Sequence, residues 1–171
     1  MGIESDWIWM DGELVPFADA KVHVLSHTLH YGLGAFEGIR AYEQPDGSAG
    51  IWRLDEHLER LFDSLKISRL QAPFRHEDIA KACADVLSAN RFSSAYLRPL
   101  AFLGMGAMGL GARTNPVHVV VAAWQWGAYL GDDGQTAGVD LRVSSFSRNH
   151  PNAALSRAKI VGHYVNSIMA R

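Results

Sequence analysis

The chain has 171 residues, of which 48% are hydrophobic and 20% charged, and its net charge is −2. That is enough apolar material to bury the core of one ordinary domain, or one and a fraction. Mixed, nearly balanced charge leaves no nucleic-acid footprint, and no apolar run approaches the ~20 residues of a membrane span.

The single cysteine, Cys83, cannot form an intramolecular disulfide and fits a reducing compartment, here read as the cytoplasm. The first residues, Met1 to Trp7, show neither the basic nor the apolar part of a signal peptide. Trp7 to Met10 and Glu13 to Phe17 flank Asp11-Gly12, a type I′ hairpin signal. Ser26 is placed to N-cap a short helical turn through His30 that ends at Gly32. Ala35 to Tyr42 alternates as a strand, and Pro45-Asp46-Gly47 turns it into a second one, Gly50 to Arg53. Asp55 is placed to cap a helix with Leu58, Leu61, Phe62 and Leu65 on one face. A second amphipathic helix runs from about Glu77 to Asn90 with Cys83 inward, so that thiol reads as structural. Strands follow at about Ala95 to Phe102 and Val117 to Ala123, joined by a glycine-rich loop, Gly104 to Gly111.

Beyond this, residues 131–138 read as a Gly- and Asp-rich linker. A strand over Val139 to Ser145 and a helix over about Ile160 to Ala170 read as the start of something new. The expected organisation is therefore an α+β domain over 1–130, the linker, and the first strand and helix of a second domain over 139–171. That last helix is too apolar to stand without a partner layer, so the chain reads as one cut short.

Lys159 carries the chemistry. The other three lysines, Lys21, Lys66 and Lys81, sit among charges, whereas Lys159 lies between small and apolar residues. An ammonium in such a setting loses hydration, which favours the neutral amine, and a neutral lysine is a nucleophile toward aldehydes. Packing of the aliphatic stem with the ammonium reaching solvent explains the same pattern. His23, His27 and His30 are spaced like metal ligands, but no carboxylate completes a set and Val22, Val24 and Leu25 oppose a continuous helix there.

Seven segments go further when taken together. They are Lys21-Val-His-Val-Leu-Ser-His, His30-Tyr-Gly, Phe36-Glu-Gly-Ile-Arg, and His57-Leu-Glu-Arg-Leu with Ser64 one turn on. Then come Tyr96-Leu-Arg-Pro-Leu, Trp126-Gly-Ala-Tyr-Leu, and Ser156 to Ser167 around Lys159. In content and order they resemble the branched-chain amino-acid aminotransferases, which are fold-type IV pyridoxal-phosphate enzymes.

The resemblance implies a small domain with an antiparallel sheet and flanking helices, followed by a larger cofactor domain. It implies that Lys159 holds pyridoxal 5′-phosphate as a Schiff base and shuttles a proton. Arg60 would grip the cofactor phosphate; pairing with Glu56 or Glu59 is the alternative. Tyr164 would bond the cofactor's phenolic oxygen, which requires the turn after Lys159 to depart from ideal helix. Tyr31, Phe36, Trp126 and Tyr129 would wall a pocket for branched side chains, where core packing also explains them. Arg98 would take the second carboxylate of glutamate, with an edge-strand salt bridge as the alternative. Gly38 would let substrate approach the backbone. Met108 would reach a partner subunit's site, so the resemblance implies a homodimer or larger homo-oligomer. The implied reaction moves an amino group from leucine, isoleucine or valine to 2-oxoglutarate. D-amino-acid aminotransferases and aminodeoxychorismate lyases share the fold, and a non-catalytic folding and dimerisation module is the contrasting reading. The acidic partner of the pyridine nitrogen would lie beyond Arg171.

Overall fold

A computed structural model describes residues 3–127, 137–150 and 152–171. Its centre is an antiparallel sheet built from seven strands: β1 (Trp7–Met10), β2 (Glu13–Pro16), β3 (Gly34–Phe36), β4 (Ile39–Glu43), β5 (Ala49–Ile51), β6 (Ala95–Leu103) and β7 (Val117–Trp124). The strand order is β2-β1-β7-β6-β4-β5, with β3 also paired to β6. The α-helices are α1 (His27–Tyr31), α2 (Leu54–Ile67), α3 (His76–Ala89) and α4 (Val165–Met169), with 3-10 turns at Phe17–Asp19 and Val161–Tyr164. Among the described residues no helix is long and apolar enough to cross a membrane.

The hairpin forms at Asp11-Gly12, both at positive φ (50° and 107°), as a type I′ turn requires. Asp11 then ties that turn to β7, its carboxylate accepting from the Val119 N–H and from His118 Nδ1 at 2.8 and 2.6 Å.

The expected strand over Ala35 to Tyr42 is divided into β3 and β4. Its pairing register with β6 runs unbroken through the gap, from Phe36↔Leu100 to Ile39↔Leu97. The interruption has a chemical cause opposite it. The Glu37 N–H donates to the Pro99 carbonyl at 2.8 Å, but proline has no N–H to return the bond. Pro99 is fully buried on an interior strand, so Arg98 beside it is not on a sheet edge.

Period-two alternation separates the two faces of this sheet. Ala35, Ile39, Ala41, Ala95, Leu97, Ala101, Val119, Val121 and Ala123 are buried and form one core with α2 and α3. Leu58, Leu61 and Leu65 come from α2, and Ile79, Ala82, Cys83, Val86 and Leu87 from α3. Burial pushes the Cys83 thiol up to about 12, which suits a packed, unreactive group.

Local details differ from the sequence reading. Ser26 makes no side-chain cap bond, and it is buried instead. Arg53, not Asp55, occupies the N-cap of α2, and Asp55 lies in the first turn, where a carboxylate still favours the helix dipole. Residues 139–145 form no strand. Val139, Leu141 and Val143 are exposed, and a strand without a paired neighbour leaves its backbone to solvent.

The expected helix over Ile160 to Ala170 is only α4, preceded by a 3-10 turn over Val161–Tyr164. Two long-range contacts prevent an earlier start. Ile160 is extended and bridges Ala35 on the free edge of β3. Gly162 N–H donates to the Gly32 carbonyl at 3.0 Å. Gly32 itself has φ 71°, and a Cβ there would lie 2.9 Å from the Gly162 Cα, so this approach requires glycine at position 32.

Candidate active site

The helix-free face of the sheet carries the even-numbered residues of the alternation. Phe36, Gly38 and Arg40 come from the β3–β4 line, Tyr96 and Arg98 from β6, and Trp124 from β7. The register sets Arg40 opposite Tyr96 and Tyr96 opposite Trp124. The rings pack together: Tyr96 lies 4.9 Å from Trp124 and 4.7 Å from Trp126, centroid to centroid. Arg98 lays its guanidinium over Phe36 at 4.7 Å and over Tyr96 at 5.3 Å, both within cation–π range. Its Nη2 donates to the Tyr96 hydroxyl at 3.0 Å, while its Nε is buried without a partner among the described residues.

Lys159 reaches this face by the pairing that brings Ile160 beside Ala35. Ala35 and Ile160 point into the core, so Phe36 and Lys159 point the other way. The Phe36 N–H donates to the Lys159 carbonyl at 3.2 Å. The Lys159 N–H donates to Ser64 Oγ at 2.9 Å, and Ser64 is itself fully buried on α2. Ala158 and Ile160 are buried, but Lys159 is half-buried. Its ammonium lies over the Phe36 ring at 4.7 Å and donates to the Tyr164 hydroxyl at 2.6 Å. The 3-10 turn brings Tyr164 round to it, as the five-residue spacing demands.

On the helical side, α2 presents His57, Arg60 and Ser64 on one face. Arg60 pairs with neither Glu56 nor Glu59: Glu56 bonds Arg53, and the guanidinium of Arg60 makes a side-on pair with Glu37. Nε donates to Oε1 and Nη2 to Oε2, both at 2.7 Å. The second oxygen also contacts His57 Nδ1 at 2.9 Å and accepts from the Gly38 N–H at 3.2 Å. Glu37 is fully buried. Burial alone would raise its pKa, but the bonds from Arg60 and His57, the Arg60 charge and the Gly38 N–H together hold it below the usual 4.5. The Glu37 bond likewise raises the pKa of Arg60 against burial, helped by the charges of Glu37 and Tyr164.

This sign has a measurable consequence. A depressed carboxylate contributes stability that is present above its unfolded pKa and is lost as pH falls through the folded one. The gap in thermal midpoint between the parent protein and Glu37→Gln is therefore wide at pH 7. It closes as pH drops below about 4.5, the ordinary value. A gap constant from pH 7 to pH 3 in melting curves would refute the assignment.

A Cβ built at Gly38 overlaps the Tyr96 hydroxyl and lies 2.8 Å from Tyr96 Cζ, so the missing side chain makes room for the tyrosine. Gly38→Ala should cost roughly 1–3 kcal/mol by overpacking. Tyr96→Phe added to it should recover part of that loss, because the hydroxyl is the nearest obstacle. Urea unfolding of the three variants checks this, and no recovery would place the strain elsewhere.

Of the expected site residues, the structure thus joins Lys159, Tyr164, Phe36, Arg98 and Trp126 in one cluster, with Gly38 beneath Tyr96. Arg60 stands on α2 beside Glu37. Tyr31 stacks on His27 within α1 at 4.4 Å and, among the described residues, is not tied to that cluster. Met108 is exposed on its loop, which Asn115 holds through the Ala107 N–H and the Gly104 and Ala107 carbonyls. Tyr129 lies outside the described residues. Glu37, Ser64, Tyr96 and Arg40 gain roles that the sequence reading did not assign. Arg40 donates to the Trp126 and Gly127 carbonyls at 2.7 and 3.1 Å. Alternation pointed to Tyr96 and Arg40, since each lies two residues from a residue already chosen.

The donor set fits an aldehyde that also bears a phenolic oxygen and a phosphate. An amine sits beside a tyrosine hydroxyl, and Glu37 occupies one edge of the Arg60 fork, with His57 Nδ1 3.4 Å from Nη2, while Nη1 has no partner among the described residues. Lysine, tyrosine and arginine stand together on an α+β fold built around an antiparallel sheet. The chain belongs to the Amino-transferase class IV family, which it matches over residues 34–171.

Within that family the similarity is to branched-chain enzymes. A branched-chain-amino-acid aminotransferase of Pseudomonas aeruginosa is 50% identical over 163 residues, covering 95% of this chain and 53% of that protein. A crystal structure of a T.th. branched-chain amino acid aminotransferase with pyridoxamine 5′-phosphate superposes with a TM-score of 0.93 at 45% identity. That match covers 99% of this chain and 55% of the other. The crystal structure of the Escherichia coli branched-chain amino acid aminotransferase gives a TM-score of 0.88 at 42% identity, over 96% and 54% of the two chains. The chain spans about half the length of the curated relatives it matches.

Proposed function

We propose that the protein is a transaminase that exchanges an amino group between branched-chain L-amino acids and 2-oxoglutarate, with pyridoxal 5′-phosphate as cofactor. The observation that carries this reading is the Lys159 ammonium on the helix-free face, bonded to Tyr164 and seated over Phe36. The bound cofactor supplies the electron sink that makes the substrate's α-proton removable. Lys159 is the residue that would hold it and move that proton. Tyr164 orients the lysine nitrogen through its 2.6 Å bond. Ser64 and Phe36 fix the lysine backbone, so the amine swings from a rigid base. Arg60 would hold the phosphate.

Phe36, Tyr96, Trp124 and Trp126 form an apolar wall suited to a branched aliphatic side chain. Arg98, within that wall, offers its unpartnered Nε to a second carboxylate. This pairing lets one pocket take leucine and glutamate in turn. Arg40 anchors the chain at Trp126 and Gly127, and Tyr129, outside the described residues, is assigned to the wall by the resemblance alone. We further read residues 1–130 as the small domain, 131–138 as a linker, and 139–171 as the beginning of a cofactor domain. The family resemblance supports a cytoplasmic homodimer in which loop 104–111 lends Met108 to the neighbouring site. The full-length protein incubated with pyridoxal 5′-phosphate should turn yellow and lose that colour on borohydride reduction, with Lys159 as the labelled residue. A protein that stays colourless would instead support a non-catalytic module.

A further inference from the structure

Glu37 is the one fully buried carboxylate among the described residues, and the transaminase chemistry above gives it no task. Burying a carboxylate is costly, and a buried ion pair is weak evidence for stability. Its placement is therefore informative. It extends from the break between β3 and β4 toward α2, where it meets Arg60 and His57. Arg60 is half exposed, and a free arginine there would sample many rotamers. The carboxylate instead takes the edge formed by Nε and one N–H of Nη2. Nη2 also lies 3.4 Å from His57 Nδ1, and Nη1 remains on the outer edge of the fork. Helix α2 then relates this edge to the lysine. Ser64, one turn beyond Arg60, donates to the Arg60 carbonyl at 2.8 Å and accepts from the Lys159 N–H at 2.9 Å.

We infer that Glu37 is a positioning residue for anion binding: it locks the Arg60 fork so that its outer edge meets the cofactor phosphate at a set distance from Lys159. The inference rests on the reading of Arg60 as the phosphate ligand. Two effects of the carboxylate oppose each other. Its charge offsets that of Arg60 and weakens attraction to a phosphate, whereas its geometry removes the entropy cost of ordering the fork on binding. The side-on pair, with both bonds at 2.7 Å and the carboxylate fully buried, makes orientation the larger effect. His57 contributes to the same end by bonding the oxygen that Nη2 uses.

The test compares binding of pyridoxal 5′-phosphate and of pyridoxal, which lacks the phosphate, to the full-length protein by fluorescence or absorbance titration. The ratio of the two affinities reports the phosphate contact alone, because a general loss of folding lowers both. Two substitutions separate the opposing effects. In Glu37→Gln the amide must place an N–H group against a donor. Glu37→Leu removes charge and acceptor together. Both should lower the ratio at least tenfold, while the affinity for pyridoxal changes less than about threefold. Adding either substitution to Arg60→Ala should leave the ratio where Arg60→Ala alone puts it. A ratio that falls in Arg60→Ala but holds or rises in Glu37→Leu would overturn the positioning role and leave the phosphate reading intact. A ratio unmoved by Arg60→Ala would overturn the phosphate reading, and the role of Glu37 with it.

Discussion

Lys159→Ala in the full-length protein should reduce transamination by roughly a thousandfold or more, because one substitution removes both the covalent nucleophile and the proton carrier. The variant should still fold. The contacts that place residue 159 are made by its backbone: its N–H to Ser64, its carbonyl from Phe36, and the burial of Ala158 and Ile160 on either side. The side chain itself is half-buried, and among the described residues it hydrogen-bonds the Tyr164 hydroxyl and rests on the Phe36 ring. Steady-state kinetics beside a thermal melt separate the two effects. A variant that melts normally and keeps more than about a tenth of the parent activity would remove Lys159 from the reaction.

Arg98→Ala should damage turnover of glutamate and 2-oxoglutarate far more than that of leucine. Truncating one partner of a buried, hydrogen-bonded charge pair costs about 2–5 kcal/mol, or a factor of about 30 and upward in kcat/KM. Leucine presents no second carboxylate and loses only the guanidinium's contact with the apolar wall. Arg98 is suited to discriminate because Phe36 and Tyr96 support its plane while Nε stays without a protein acceptor among the described residues. The measurement is kcat/KM for both amino donors in parent and variant. Equal losses would assign Arg98 to the architecture of the face, or to the α-carboxylate that all substrates share.

Local chemistry in the chain was enough for much of this. The Asp11-Gly12 turn, the alternation in β6 and β7 and the apolar stripes of α2 and α3 follow from propensity and period, and the structure contains them within a few residues. The departures have one pattern. Ile160 suits a helix by sequence, but it is extended because Ala35 offers it a strand edge. Tyr96 lies where a side chain at position 38 would be, a neighbour that no local pattern announces. Arg60 has acids at helical spacing, but it takes the buried Glu37 between β3 and β4 instead.

The sequence by itself determined that a lone lysine stands among small and apolar residues, which segments alternate and which are amphipathic, and therefore which side chains share a face. Those features are local, set by backbone sterics and by the spacing of apolar groups. The tertiary structure alone decided which faces meet. It placed Phe36 beside Lys159, Tyr96 over Gly38, and Glu37 against Arg60 and His57. Each of these pairings is a contact between segments far apart in the chain. Its existence depends on strand register, on a proline that cannot donate, and on where a helix lies across a sheet, and no window of neighbouring residues contains that information.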